Sequence, residues 1–322
     1  MIILPGLFLT LTIALAVSFI SANLGGPAML YALLFGMIFH FLTENERLRP
    51  GIRASSRHVL RVGVALLGAR ITATEVYALG WPVVGLIVAA VAATIGLGWL
   101  LGRLCGLGNN HSVLSASAVA ICGASAALAV SSVLPSHKDH ERNTSLTVVG
   151  VTALSTAAMV LYPLLVKSLG MDDSTGGVFL GATIHDVAQV VGAGYIISQD
   201  AGDTSTLVKL MRVACLVPVI VSISLVSRSR RQPGPKTEPL LPWFLIVFVA
   251  LVVINSLGWI PVPVRDVLSP TSSWCLLVGV AALGVQTSLK SVVEVGPAPI
   301  GAMVLQSIFI AGFVLGGLHL MQ

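Results

Sequence analysis

Gly181-Ala-Thr-Ile-His185-Asp186-Val-Ala-Gln189-Val-Val-Gly192-Ala-Gly194 is a polar seam in an otherwise apolar stretch, and the fold turns on how it is read. At the helical period Gly181, His185, Gln189 and Gly192 share one face, with Asp186 on the neighbouring strip. A carboxylate near the centre of a membrane helix costs about 2.5–3.5 kcal/mol to insert, so it belongs beside a cavity, a partner or water. The seam is the first candidate site: His185 and Asp186 form a proton-coupling pair, and Gln189 is a substrate contact. A purely structural hydrogen-bonded pair is the alternative. No second His stands at ligand spacing and there is no HExxH, so no metal is expected.

Composition sets the class. Of 322 residues, 56% are hydrophobic and 10% charged, and mean hydropathy is +0.95, which marks an integral membrane protein embedded in a lipid bilayer. The net charge of +5 comes from basic residues in short loops, a topology signal and not a nucleic-acid surface. The cysteines (Cys105, Cys122, Cys215, Cys275) lie in apolar runs without CxxC spacing and read as small core residues. Residues 2–21 have no Lys or Arg before them, so they read as a retained first span and not as a cleaved signal.

Apolar runs predict an all-α polytopic protein of about eleven transmembrane helices: 3–22, 27–42, 56–72, 81–104, 112–134, 147–168, 176–198, 206–227, 242–260, 272–288 and 297–320. The Lys and Arg bias between alternate loops places the N-terminus in the cytoplasm. The Arg-, Pro- and Lys-rich stretch 227–241 reads as a cytoplasmic linker between an N-terminal bundle, 1–226, and a three-helix part, 242–322, within one membrane domain.

An internal repeat organises the chain. Val62-Gly-Val-Ala-Leu-Leu-Gly68-Ala-Arg70-Ile-Thr72 resembles Val278-Gly-Val-Ala-Ala-Leu-Gly284-Val-Gln286-Thr-Ser288, at an offset of 216 that also pairs Gly80 with Gly296. The offset carries span three onto span ten, so the repeat is inverted. Arg70 and Lys290 read as helix-end anchors.

Two further stretches carry chemistry. Ser115-Ala-Ser117-Ala-Val-Ala-Ile-Cys122-Gly123-Ala-Ser125 reads either as tight small-residue packing or as a helix broken at mid-membrane, where Ser117, Cys122, Gly123 and Ser125 would face substrate. Lys209-Leu-Met-Arg212 places two cations on roughly one face, either as countercharges for an anion or as snorkelling anchors.

With these motifs in hand, the chain resembles the YeiH-like family of bacterial inner-membrane proteins, described as sulfate exporters. The matching residues are Leu66-Leu-Gly-Ala-Arg70-Ile-Thr72, Ala120-Ile-Cys-Gly-Ala-Ser-Ala126, Thr183-Ile-His-Asp-Val-Ala-Gln-Val190, Val208-Lys-Leu-Met-Arg-Val213 and Ala282-Leu-Gly284. The resemblance implies transport, an inner-membrane location and kinship with the fold of bile-acid/sodium symporters and sodium/proton antiporters, with inverted repeats and crossed, interrupted helices. One conflict stands: as full spans, the segments holding Cys122 and His185 run parallel and cannot be inverted mates, which leaves the span around Gly284 as the mate of span five.

The expected function is secondary transport of a small anion, sulfate or a related oxyanion or sulfonate, by alternating access. No GxxxxGK[ST] motif or other cofactor signature occurs. The competing readings are an intramembrane enzyme, which lacks a second intramembrane carboxylate, and a scaffold without turnover. A homodimer is compatible with all three.

Overall fold

A computed structural model describes residues 3–24, 27–104, 106–135, 139–226, 242–287 and 297–321. The linker 227–241, Cys105, Lys138, Ser288, Lys290 and Gly296 lie outside the described residues. Within them the chain forms helices α1 (Leu4–Leu24), α2 (Ala28–Ile38, with a 3-10 extension Phe39–Glu44) and α3 (Arg49–Ala54), which passes through a π-turn (Ser55–Val59) into α4 (Leu60–Leu67). Then come α5 (Ala73–Ala78), α6 (Gly80–Leu104), α7 (Asn109–Ala120), α8 (Ala124–Ser131), α9 (His140–Ser168), α10 (Asp173–Thr183) and α11 (Val187–Ile197). The last are α12 (Gln199–Ala214), α13 (Leu216–Val226), α14 (Trp243–Ser256), α15 (Val262–Gln286) and α16 (Pro297–Met321). Among the described residues, six stretches are long and apolar enough to cross a membrane: α1, α6, α9, α15, Gln199–Leu225 and Ile300–Met321. Span three starts earlier than its hydropathy suggests, because the arginine-rich turns from Arg49 are already helical.

The polar segments 112–134 and 176–198, expected as full spans, are helical hairpins instead. Asn110, at the start of α7, donates to the Pro135 carbonyl beyond the end of α8 at 3.2 Å. A straight helix would hold these residues about 37 Å apart. Likewise Gly177 of α10 and Gly194 of α11 both press on the Ala201 carbonyl, so α10 runs alongside α12 and α11 returns against it. The single-face arrangement of Gly181, His185, Gln189 and Gly192 is therefore lost between Thr183 and Val187, where the helix breaks.

Helix α9 is the ruler between the hairpins. Its 29 residues span about 43 Å. The α7–α8 base lies at its start, where Ser131 bonds His140 and Thr144 at 2.8 Å. The α10–α11 base lies at its end, where Gly176 packs on Val166. Near the middle, the Ser155 hydroxyl accepts the Asp186 amide at 3.0 Å. The hairpins thus enter from opposite ends and meet tip to tip, so they are antiparallel after all.

A second group of helices stands beside them. Gly63 of α4 packs on Leu276 of α15, while Gly279 packs on Leu60. Both Leu60/Leu276 and Gly63/Gly279 are separated by 216 residues (276 minus 60, 279 minus 63), so the offset exchanges the two contacts. The neighbours follow suit: Gly68 lies against the Phe248 carbonyl of α14, and Gly284 against the Leu33 carbonyl and Gly36 of α2. Such backbone contact leaves no room for a side chain: a Cβ at Gly284 would stand 2.3 Å from the Leu33 oxygen. The three C-terminal helices do not form a separate unit, because α14 and α15 pack with α2 and α4 while α16 packs with α6.

Candidate functional site

Each hairpin tip exposes the end of one half-helix and the start of another. At the first tip, Ile121 and Cys122 leave α7, and Gly123 turns the chain at φ +63 and ψ −127, a conformation closed to residues with a Cβ. Helix α8 starts there without a side-chain cap. At the second tip, Ile184 and His185 leave α10, and Asp186 caps α11 by accepting the Ala188 amide at 3.4 Å.

Both half-helices that end at the tips present carbonyl oxygens there, the negative end of the dipole. Lys209 and Arg212, one turn apart on α12 and fully buried, answer them. The Lys209 ammonium donates to the carbonyls of Ile121 at 2.7 Å, Ile184 at 2.8 Å and His185 at 2.5 Å. The Arg212 guanidinium donates to Val119 and Ala120 at 2.6 Å, to Ala182 at 2.8 Å and to Ile184 at 3.0 Å. All three Lys209 donors end on backbone. The cations expected as countercharges for a substrate are thus spent as a clamp that sews the tips together.

His185 is sealed. Its Nδ1 lies 3.1 Å from the Val119 carbonyl and its Nε2 2.9 Å from the Ser307 hydroxyl of α16. A carbonyl only accepts, so the ring proton sits on Nδ1. Asp186 differs: it is half-buried, and among the described residues it makes no ion pair. Of the expected proton-coupling pair, only Asp186 keeps any exposed surface.

The other expected residues divide by position. Cys122 and Gly123 stand at the first tip beside the His185 backbone, and Ser125 is exposed in the first turn of α8. Ser117 is fully buried with an unpartnered Oγ, and the buried Gln189 has an unpartnered Oε1. Gly68, Arg70, Thr72, Gly284 and Gln286 lie away from the tips. Arg70 pairs with Asp203, donates to Tyr195 at 3.1 Å, and so ties the end of α4 to the base of the second hairpin. Gln286 donates to the Ile52 carbonyl at 3.1 Å and to the Ser56 hydroxyl at 2.5 Å. Sequence reading missed Ser155 and Ser307, hydroxyls within apolar spans whose spacing signals nothing.

The family model described as conserved hypothetical protein 698 matches residues 5–303. A UPF0324 membrane protein of Chlorobaculum tepidum is 48% identical over 315 residues, covering 97% of this chain and 88% of that protein. The UPF0324 membrane protein TauZ of Paracoccus denitrificans is 47% identical over 321 residues, covering 98% and 95%. A UPF0324 membrane protein of Bacteroides thetaiotaomicron is 32% identical over 304 residues, covering 91% and 89%. No solved structure matches the chain.

Proposed function

The chain belongs to the conserved hypothetical protein 698 family of UPF0324 membrane proteins, and from that premise we propose that it is a secondary transporter moving a small anion by alternating access. The observation that carries this reading is the meeting of two hairpins from opposite ends at the middle of α9. Irregular backbone at that depth is tolerated where it is buried in protein or lines a cavity, and discontinuous helices at the midplane are the usual substrate cradle of transporters. The contacts exchanged by the 216-residue offset support an inverted repeat, with α2, α4 and α6 in one half and α14, α15 and α16 in the other.

Charge favours an anion. With the carbonyl ends taken up by Lys209 and Arg212, the uncapped start of α8 keeps its positive dipole end, beside the exposed Ser125. Sulfate, a related oxyanion or a sulfonate fits such a site. Asp186 is the proton carrier in this scheme, with His185 a pin between the tips and α16. An enzyme reading has less support, since a sealed imidazole cannot serve as a base to an incoming substrate.

Counting the hairpins as re-entrant leaves nine crossings. Arg142 then joins Arg47, Arg49, Arg53 and Arg103 on the side where α1 begins and Lys167 moves to the other, an even exchange. Lys209 and Arg212, buried at the tips, leave the count of the opposite side, which favours a cytoplasmic N-terminus in the bacterial inner membrane.

Flux of radiolabelled sulfate, sulfite and ethanesulfonate into proteoliposomes tests the reading. Wild-type protein is expected to move at least one of them faster under an imposed pH gradient, and Asp186→Asn to abolish the pH-driven part while leaving the protein folded. Absence of flux for all three, or an Asn variant that responds to the gradient at the wild-type rate, rules the proposal out.

A further inference from the structure

Arg49, Arg53, Arg57 and Arg61 follow one another at a spacing of four along α3, the π-turn and α4. In an α-helix each four-residue step drifts about 40° around the axis. A π-turn holds more residues per turn and takes part of that drift back, and here it occupies Ser55–Val59, in the middle of the row. The arginines are thereby kept near one line. The first three are exposed and Arg61 is half-buried. Among the described residues none of them is in an ion pair.

Depth makes the row unusual. Helix α1 runs parallel to α3–α4 in fixed register: Gly6 abuts Gly51, and the Thr10 and Ser55 hydroxyls meet at 2.8 Å. Carried on, that register sets Arg61 level with Ala16, just past the middle of a 21-residue helix barely long enough to cross about 30 Å of hydrocarbon. A snorkelling anchor at a helix end has no such depth. Arg61 lies under the Phe244 ring at 5.6 Å. Nine residues further on, Arg70 donates to Tyr195 at 3.1 Å, itself nine residues beyond Asp186, so Arg61 stands about level with the second hairpin tip. Toward the surface, Arg49, Arg53 and Arg57 line an open cleft of about 500 Å³.

We infer that this row is an anion path from the face where α1 begins to the hairpin tips, and that Arg61 supplies the guanidinium that holds a small oxyanion there. The inference rests on the anion-transport reading and gives the other helix group a share in the site. A guanidinium matches a tetrahedral oxyanion through paired N–H donors. The same chemistry suits a lipid phosphate, so the test separates the two.

The full chain is titrated with sulfate, sulfite and ethanesulfonate in phosphatidylcholine and in phosphatidylglycerol nanodiscs, with thermal stabilisation as the readout, and flux is measured in parallel. Arg61→Gln is expected to weaken the anion that binds wild type about tenfold or more, and Arg61→Lys less, since the charge stays but the fork is lost. Arg49→Gln is expected to slow uptake and flatten its salt dependence. Exposed Arg265, at the opposite end, is the control, and Arg265→Gln is expected to change neither. Unchanged affinity in folded Arg61→Gln, an effect confined to phosphatidylglycerol discs, or no binding of any of the three anions overturns the inference. Should Arg61→Gln not fold, wild-type affinity in Arg61→Lys overturns it as well. Binding without flux sinks the transport reading and leaves this one standing, whereas flux indifferent to Arg61→Gln does the reverse.

Discussion

Lys209 shows how a buried charge is tolerated in the middle of a membrane protein. Its three donors meet three carbonyls that would otherwise be unsatisfied ends of two helices, so desolvation of the ammonium is offset by the dipoles it neutralises. Lys209→Met leaves those oxygens orphaned and is expected to cost about 3 kcal/mol or more. The check is recovery of monodisperse protein in mild detergent, and full wild-type yield would deny the clamp. Gly123 makes a second case. Gly123→Ala forces a Cβ into a backbone region that only glycine enters easily, at about 1–3 kcal/mol, and the neighbouring space gives no relief because the constraint is torsional. A lowered unfolding temperature is expected, with an unchanged one excluding the observed turn. The sequence made both residues legible as candidates, but not their roles: Lys-x-x-Arg spacing reads alike whether the cations face a substrate or a backbone.

The hairpins were partly legible. Each is 23 or 25 apolar-rich residues long, from Asn109 to Ser131 and from Asp173 to Ile197, and hydropathy sums cannot tell a re-entrant pair of half-helices from one span of that length. The second break contains neither Gly nor Pro. Yet a local signal existed: Asp186 with Gln189 three residues on is the pattern of a helix start, and Asp186 is in fact the cap of α11. The base of the same hairpin is capped by Asp172, whose carboxylate accepts the Thr175 amide at 2.9 Å and its hydroxyl at 2.7 Å. These bonds hold the Asp172 carboxyl below the usual carboxylate range. Its contribution is therefore full above the ordinary carboxylate pKa and is lost as pH falls through the lowered value. Asp172→Ala is expected to cost about 1 kcal/mol at neutral pH and to narrow its gap from wild type in acid, and a gap independent of pH would mean the cap is idle.

At the scale of the molecule, residues 216 apart exchange contacts: Gly63 meets Leu276 and Gly279 meets Leu60. What one-dimensional reading could not supply was whether each polar segment crosses or turns back, and with it the side on which the loops between them lie. Cysteine labelling decides this. Residues 109 and 140 are expected to label from the cytoplasmic side and residues 171 and 198 from the other, whereas eleven full crossings put 109 and 140 on opposite sides. Arg70 belongs to this scale too, since its ties to Asp203 and Tyr195 close the far end. Arg70→Gln is expected to speed labelling at position 198, and an unchanged rate would mean that these bonds hold nothing shut. The clamp on the tips has one more consequence. Lys209 and Arg212 grip main-chain oxygens at 119–121 and 182–185, which every amino acid provides. The grip is blind to the side chains of the residues it holds, so on the transport reading ligand preference can shift at tip positions other than Gly123 and His185, whose turn and ring contacts are specific, while the framework that presents them stays intact.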